Sequence, residues 1–161
     1  MRIPLSHRRQ HQRGATAIEF SLVFSLLFGM FWAILSYALP FFLLMVMNQA
    51  ASDAARASLA ADVTTQSRTA YEATAEALAE TKLTSRLSIL PANFLNKLST
   101  VANSVTIITD PADSAKRDLR VRVVYIAYQS NPLIPVLTLP GLGPIPNIPG
   151  DLVAEASVRL D

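Results

Sequence analysis

The sequence has no cysteine, so neither a disulfide framework nor a thiolate site is open to it. Its two histidines, His7 and His11, both precede Gly14. Beyond them there is no imidazole for a Ser-His triad, for His-based acid–base catalysis or for Cys/His metal ligation. The five glycines form no phosphate-binding loop. Only carboxylate-pair chemistry remains as a catalytic route, and no enzymatic role, metal or cofactor is expected. Charge is missing too: from Phe20 to Met47 no residue is charged. Between Gly14 and Arg68 the only basic residue is Arg56. Glycine and proline are both absent from Asn48 to Leu90.

Charge is concentrated at the N-terminus. Arg2, Arg8, Arg9 and Arg13 all lie before Gly14, with no acid among them. The ten basic residues that follow are outnumbered by twelve acids, a net of −2, so the basic character of the whole chain comes from this leader. Lys116, Arg117, Arg120 and Arg122 come nearest to a basic patch, but Asp110, Asp113 and Asp118 are interspersed with them, and no nucleic-acid partner is expected. The 28 uncharged residues Phe20–Met47 would make a helix about 42 Å long, against about 30 Å of hydrocarbon. They can span a bilayer and project beyond it, with Pro40 marking a kink or the emergence of the helix. The positive-inside rule places the N-terminus in the cytoplasm and the C-terminal domain outside, in the periplasm. The alternatives are a cleaved secretory signal and an uncleaved signal anchor. The apolar run is nearly twice the usual upper length for the first.

Residues Arg13-Gly14-Ala15-Thr16-Ala17-Ile18-Glu19-Phe20 join leader to span. Basic leader, glycine, four residues, glutamate, phenylalanine and a long apolar helix together resemble a type IV prepilin signal. With Ser21-Leu22-Val23-Phe24 following, the segment is similar to the TadE-like pseudopilins of tight-adherence (Flp, type IVc) pili. The resemblance covers about 35 N-terminal residues. It implies that a prepilin peptidase cuts between Gly14 and Ala15, and that Glu19 becomes the fifth residue of the mature chain. Glu19 and Phe20 would then serve subunit assembly, and Arg8, Arg9 and Arg13 would set topology. The implied partners are the peptidase, other pilin or pseudopilin subunits, the assembly platform and membrane lipid. The chain is too long for a major Flp pilin, and Phe20 stands where such pilins often carry tyrosine. The length favours a minor pilin or pseudopilin over the main filament subunit. The chemistry is compatible: glycine leaves the backbone open to a protease. The new amine on Ala15, with a reference pKa of about 7.7–8.0, would lie about 6 Å along the axis from Glu19. An acid there is also favoured by the helix dipole, which alone would account for a glutamate facing headgroups.

The sequence divides into a leader (1–14), a transmembrane helix (15–47), an alanine-rich helical region (48–100) and a β region (101–161). Asn48 to Leu90 reads as one helix. Ala50, Ala54, Ala57 and Ala61 form a small-residue face, open either to neighbouring subunits or to solvent. Glu72, Glu76 and Glu80 read as a solvated ladder rather than a cation site. Val105–Thr109 reads as a strand, and Asp110-Pro111-Ala112-Asp113 as a turn. Leu119, Val121, Val123 and Tyr125, then Leu152, Ala154, Ala156, Val158 and Leu160, alternate as two further strands. The expected class is α+β: the long helix followed by a small antiparallel sheet, pilin-like. Between the last two strands, 129–150 holds six of the ten prolines and no charge. Its Leu133, Ile134, Val136, Leu137, Leu139 and Leu142 offer a docking surface for a subunit or the outer leaflet. The alternative is that the loop folds back over the sheet. Its prolines argue against ordinary strand pairing.

Overall fold

The computed structural model describes residues 11–62, 67–98, 104–110, 113–130, 132–139, 143–148 and 150–160. Helix α1 (His11–Ser58) runs for 48 residues, about 72 Å. It continues through Pro40, whose ring leaves the carbonyl of Ser36 without an N–H partner. Both residues are buried against the domain.

The alanine-rich region is not one helix. α1 stops at Ser58, where the Leu59, Ala60 and Ala61 amides close back on Arg56, Ala57 and Ser58 in tight i→i+3 bonds of 3.1–3.2 Å. The chain then starts again as α2 (Arg68–Leu87), capped by Ser67, whose hydroxyl accepts from the Ala70 amide at 3.4 Å. The cause is tertiary. Tyr71, Ala75, Ala79, Leu83 and Leu87 recur every fourth residue, and all are buried once α2 lies against α1. On α1, which packs against α2, Ala50, Ala51, Ala54 and Ala55 are buried. Of the expected small face, Ala50, Ala54 and Ala61 are buried within the chain and Ala57 is half-buried. Asp53 and Arg86 join the helices at 2.9 Å. A short helix α3 (Ala92–Leu95) follows, and the isolated pair Leu98–Tyr125 ties its exit to the sheet.

Strands β1 (Val105–Asp110), β2 (Asp113–Tyr125) and β5 (Leu152–Leu160) form an antiparallel sheet in the order β1-β2-β5. The expected α+β class and the three expected strands are present. Pro111 and Ala112 of the expected turn lie outside the described residues; Asp110 and Asp113 on either side pair with each other. Leu119, Val121, Val123 and Tyr125 are all buried, and α1 packs across β5 and β2. The outer face carries Asp118–Arg159 and Arg120–Glu155 pairs at 3.3 and 2.9 Å. The proline-rich loop does form strands: β3 (Leu137–Leu139) pairs antiparallel with β4 (Gly143–Ile145), Pro144 opposite Thr138. Three residues per strand leave room for prolines because so few ladder bonds are needed.

Candidate functional site: the anchor helix and its junction with the domain

α1 has two regimes. From Gly14 to Leu35 it is almost bare: Ile18, Phe20, Leu22, Leu26 and Met30 are among its largely exposed apolar residues. It is the one helix long and apolar enough to cross a membrane among the described residues. From Ser36 onward a seam is buried, through Pro40, Leu43, Met47, Ala50, Ala54 and Ser58, widened by Ala51 and Ala55. These positions recur at intervals of three and four, the spacing of one helix face. Phe41, Phe42 and Met45, off the seam, stay exposed.

Gly14 and Ala15 are helical and exposed, and a side chain at Gly14 would meet no atom within 4 Å. Glu19 and Phe20 also lie on the open surface of α1. Glu19 lies beyond the first described turn of α1; a new terminus at Ala15 would leave it one turn from the end. Arg8 and Arg9 lie outside the described residues, and Arg13 occupies the first turn of α1.

One feature of the span escaped the residue-by-residue reading. Phe20, Phe24, Phe28 and Trp32 stack in succession, with centroids 6.0, 6.2 and 6.4 Å apart. Their four-residue spacing was the available signal. The ladder runs directly into Ser36 and Pro40, the head of the buried seam. There Trp32 Nε1 and Ser36 Oγ are buried and find no hydrogen-bond partner among the described residues.

Of the loop residues, Leu133 packs against the core, as does Ile148 near the loop's far end. Ile134 is half-buried, while Val136 and Leu137 are exposed. Leu142 lies outside the described residues. The loop both covers and projects. It also reaches the anchor, where the Asn147 amide donates to the Tyr37 hydroxyl at 3.2 Å. The sequence offers no signal for that contact across 110 positions.

The glutamate ladder is not simply solvated. Glu72 takes Arg68 at 3.4 Å and Arg117 at 3.7 Å, which uses one of the basic residues near β2. Burial, then the charges of Glu80 and Glu72, push the Glu76 carboxyl above its ordinary pKa, while the Ile107 backbone N–H pulls it back. No metal-binding group of three His, Cys, Asp or Glu occurs among the described residues.

A family model described as TadE-like protein matches residues 14–56, which begin at Gly14 and end two residues short of the end of α1. No curated protein and no solved structure matches the chain.

Proposed function

Because its anchor helix is TadE-like, a type associated with tight-adherence pili and structural rather than catalytic, we propose that this protein is a minor pilin or pseudopilin of such a pilus. The observation that carries the reading is the bare helix Gly14–Leu35, which bears Glu19 near its start and runs without a break into the core of the domain. In this reading the chain rests in the cytoplasmic membrane with its N-terminus inside and its α+β domain in the periplasm. A prepilin peptidase cuts between Gly14 and Ala15. Gly14 helps, because a glycine within a helix costs about 1 kcal/mol relative to alanine and so eases local unwinding for the protease. Glu19 then neutralises the Ala15 amine of its own chain or of a neighbour as the subunit joins others at the assembly platform.

Intact mass and N-terminal sequencing of the protein from its native membrane test the cleavage. A chain beginning at Ala15, and lost without the peptidase, is the expected result. A chain retaining Arg8, Arg9 and Arg13 would make the protein a signal-anchored periplasmic interaction module instead. Glu19→Ala should leave insertion and cleavage intact and reduce incorporation into filaments; normal piliation in that variant would refute the assembly role.

A further inference from the structure

The chain has a second uncharged run as long as the first. From Val123 to Gly150, 28 residues pass without a charge. The described residues of this run form the end of β2, the β3–β4 pair and the approach to β5 at one end of the domain. That end exposes Ile126, Val136 and Leu137, with Val153 just beyond the run. Two charged residues of opposite sign flank it: Asp151 accepts from the Ala127 amide at 2.7 Å, and the Lys97 carbonyl accepts from the Ile126 amide at 3.2 Å. The charged pairs of the outer sheet face, Asp118–Arg159 and Arg120–Glu155, lie further along β2 and β5.

The uncharged run is also held to the anchor, through the Asn147 amide and the Tyr37 hydroxyl at 3.2 Å. The depth of Tyr37 follows from the helix. Counting from Ala15, about 20 residues fill about 30 Å of hydrocarbon, which ends near Ile34. Tyr37 then stands about 4–5 Å further along the axis, within a headgroup layer about 5–7 Å thick. Counting instead from Phe20, or tilting the helix, moves Tyr37 deeper and never shallower. Tyrosine is itself a residue of this interface.

We propose that the β3–β4 hairpin is a second membrane contact, with Val136 and Leu137 set into the outer leaflet beside the anchor. The inference rests on the membrane-anchored reading above. The occupant is lipid because the hairpin's far side is held at Asn147 to Tyr37 of the spanning helix, which stands at headgroup depth. The run carries no charge, and Lys97 and Asp151 beside it are of opposite sign, so the contact needs no anionic lipid and depends little on salt.

The absence of native cysteine makes single labels unambiguous. Full-length chains carrying a nitroxide at Leu137→Cys, Val136→Cys, Ser157→Cys or Phe28→Cys would be placed in phosphatidylcholine nanodiscs. Collision with oxygen and with a water-soluble nickel chelate would then be measured. The expected result is that labels at 136 and 137 meet oxygen in preference to nickel, and meet nickel severalfold less than the label at 157. Salt and added anionic lipid should change little. Labels at 136 and 137 as open to nickel as that at 157, with 28 still in hydrocarbon, would overturn the hairpin contact alone. Protection at 136 and 137 that disappears at one chain per disc would assign the patch to a second copy and overturn it as well. A water-exposed label at 28 would overturn the anchored reading and the hairpin contact with it.

Discussion

Leu83 lies in the middle of the α2 stripe and is fully buried, whereas Leu78, five residues earlier on the same helix, is 36% exposed. Truncating a buried leucine to alanine costs about 2–5 kcal/mol, from lost transfer energy and the cavity left behind. Truncating an exposed one stays within about 0.5 kcal/mol. Against a typical domain stability of about 5–15 kcal/mol, Leu83→Ala removes a large fraction and Leu78→Ala almost none. Helicity is a poor readout, because the bare anchor would dominate the signal. Brief proteolysis of the full chain in nanodiscs across a urea series reads the domain directly. Leu83→Ala should shift the midpoint by an amount equivalent to about 2–5 kcal/mol, with Leu78→Ala near the parent. Equal shifts for the two variants, or none for Leu83→Ala, would mean that α2 does not lie on α1 along this face, as in a single helix continuing to Leu90.

Tyr37→Phe removes the acceptor of the Asn147 amide and should weaken the domain by about 1 kcal/mol in the same assay, with new cleavage near the hairpin. Glu76 has a raised carboxyl pKa in the folded state, so its favourable contribution is complete below the unfolded value and is lost as pH rises through the folded one. Glu76→Gln should therefore flatten the fall in stability with rising pH above the ordinary carboxylate range, and be at least as stable as the parent at neutral pH. A variant less stable than the parent there would show that the Ile107 contact outweighs burial and the neighbouring glutamates.

The two longer strands are legible because they alternate. Leu119, Val121, Val123 and Tyr125 meet the core with Arg120, Arg122 and Val124 between them, and a one-residue slip would turn them all outward. The anchor is legible for another reason: its uncharged run is strongly apolar with a single proline, whereas the equally long uncharged run from Val123 is broken by six. The break after Ser58 has two signals in the sequence, a capping serine at 67 and a four-residue apolar stripe from Tyr71. Alanine propensity is a weak prior, and here it was overridden by the surface that α2 and α1 bury together. The hairpin was missed because three-residue strands give too little alternation to read. The contact between Asn147 and Tyr37 depends on tertiary placement alone.

The unbroken course of α1 also fixes an angle. At about 100° per residue, the 17 positions from Glu19 to Ser36 leave Glu19 about a quarter turn from the seam that grips the domain. With no hinge between them, anchor and sheet are keyed together like a shaft and its head. In the proposed reading, whatever receives Glu19 near the start of the span thereby dictates the compass bearing of the sheet at the other end. A twist or axial pull on the anchor arrives as a load on the seam from Ser36 to Ser58, without slack.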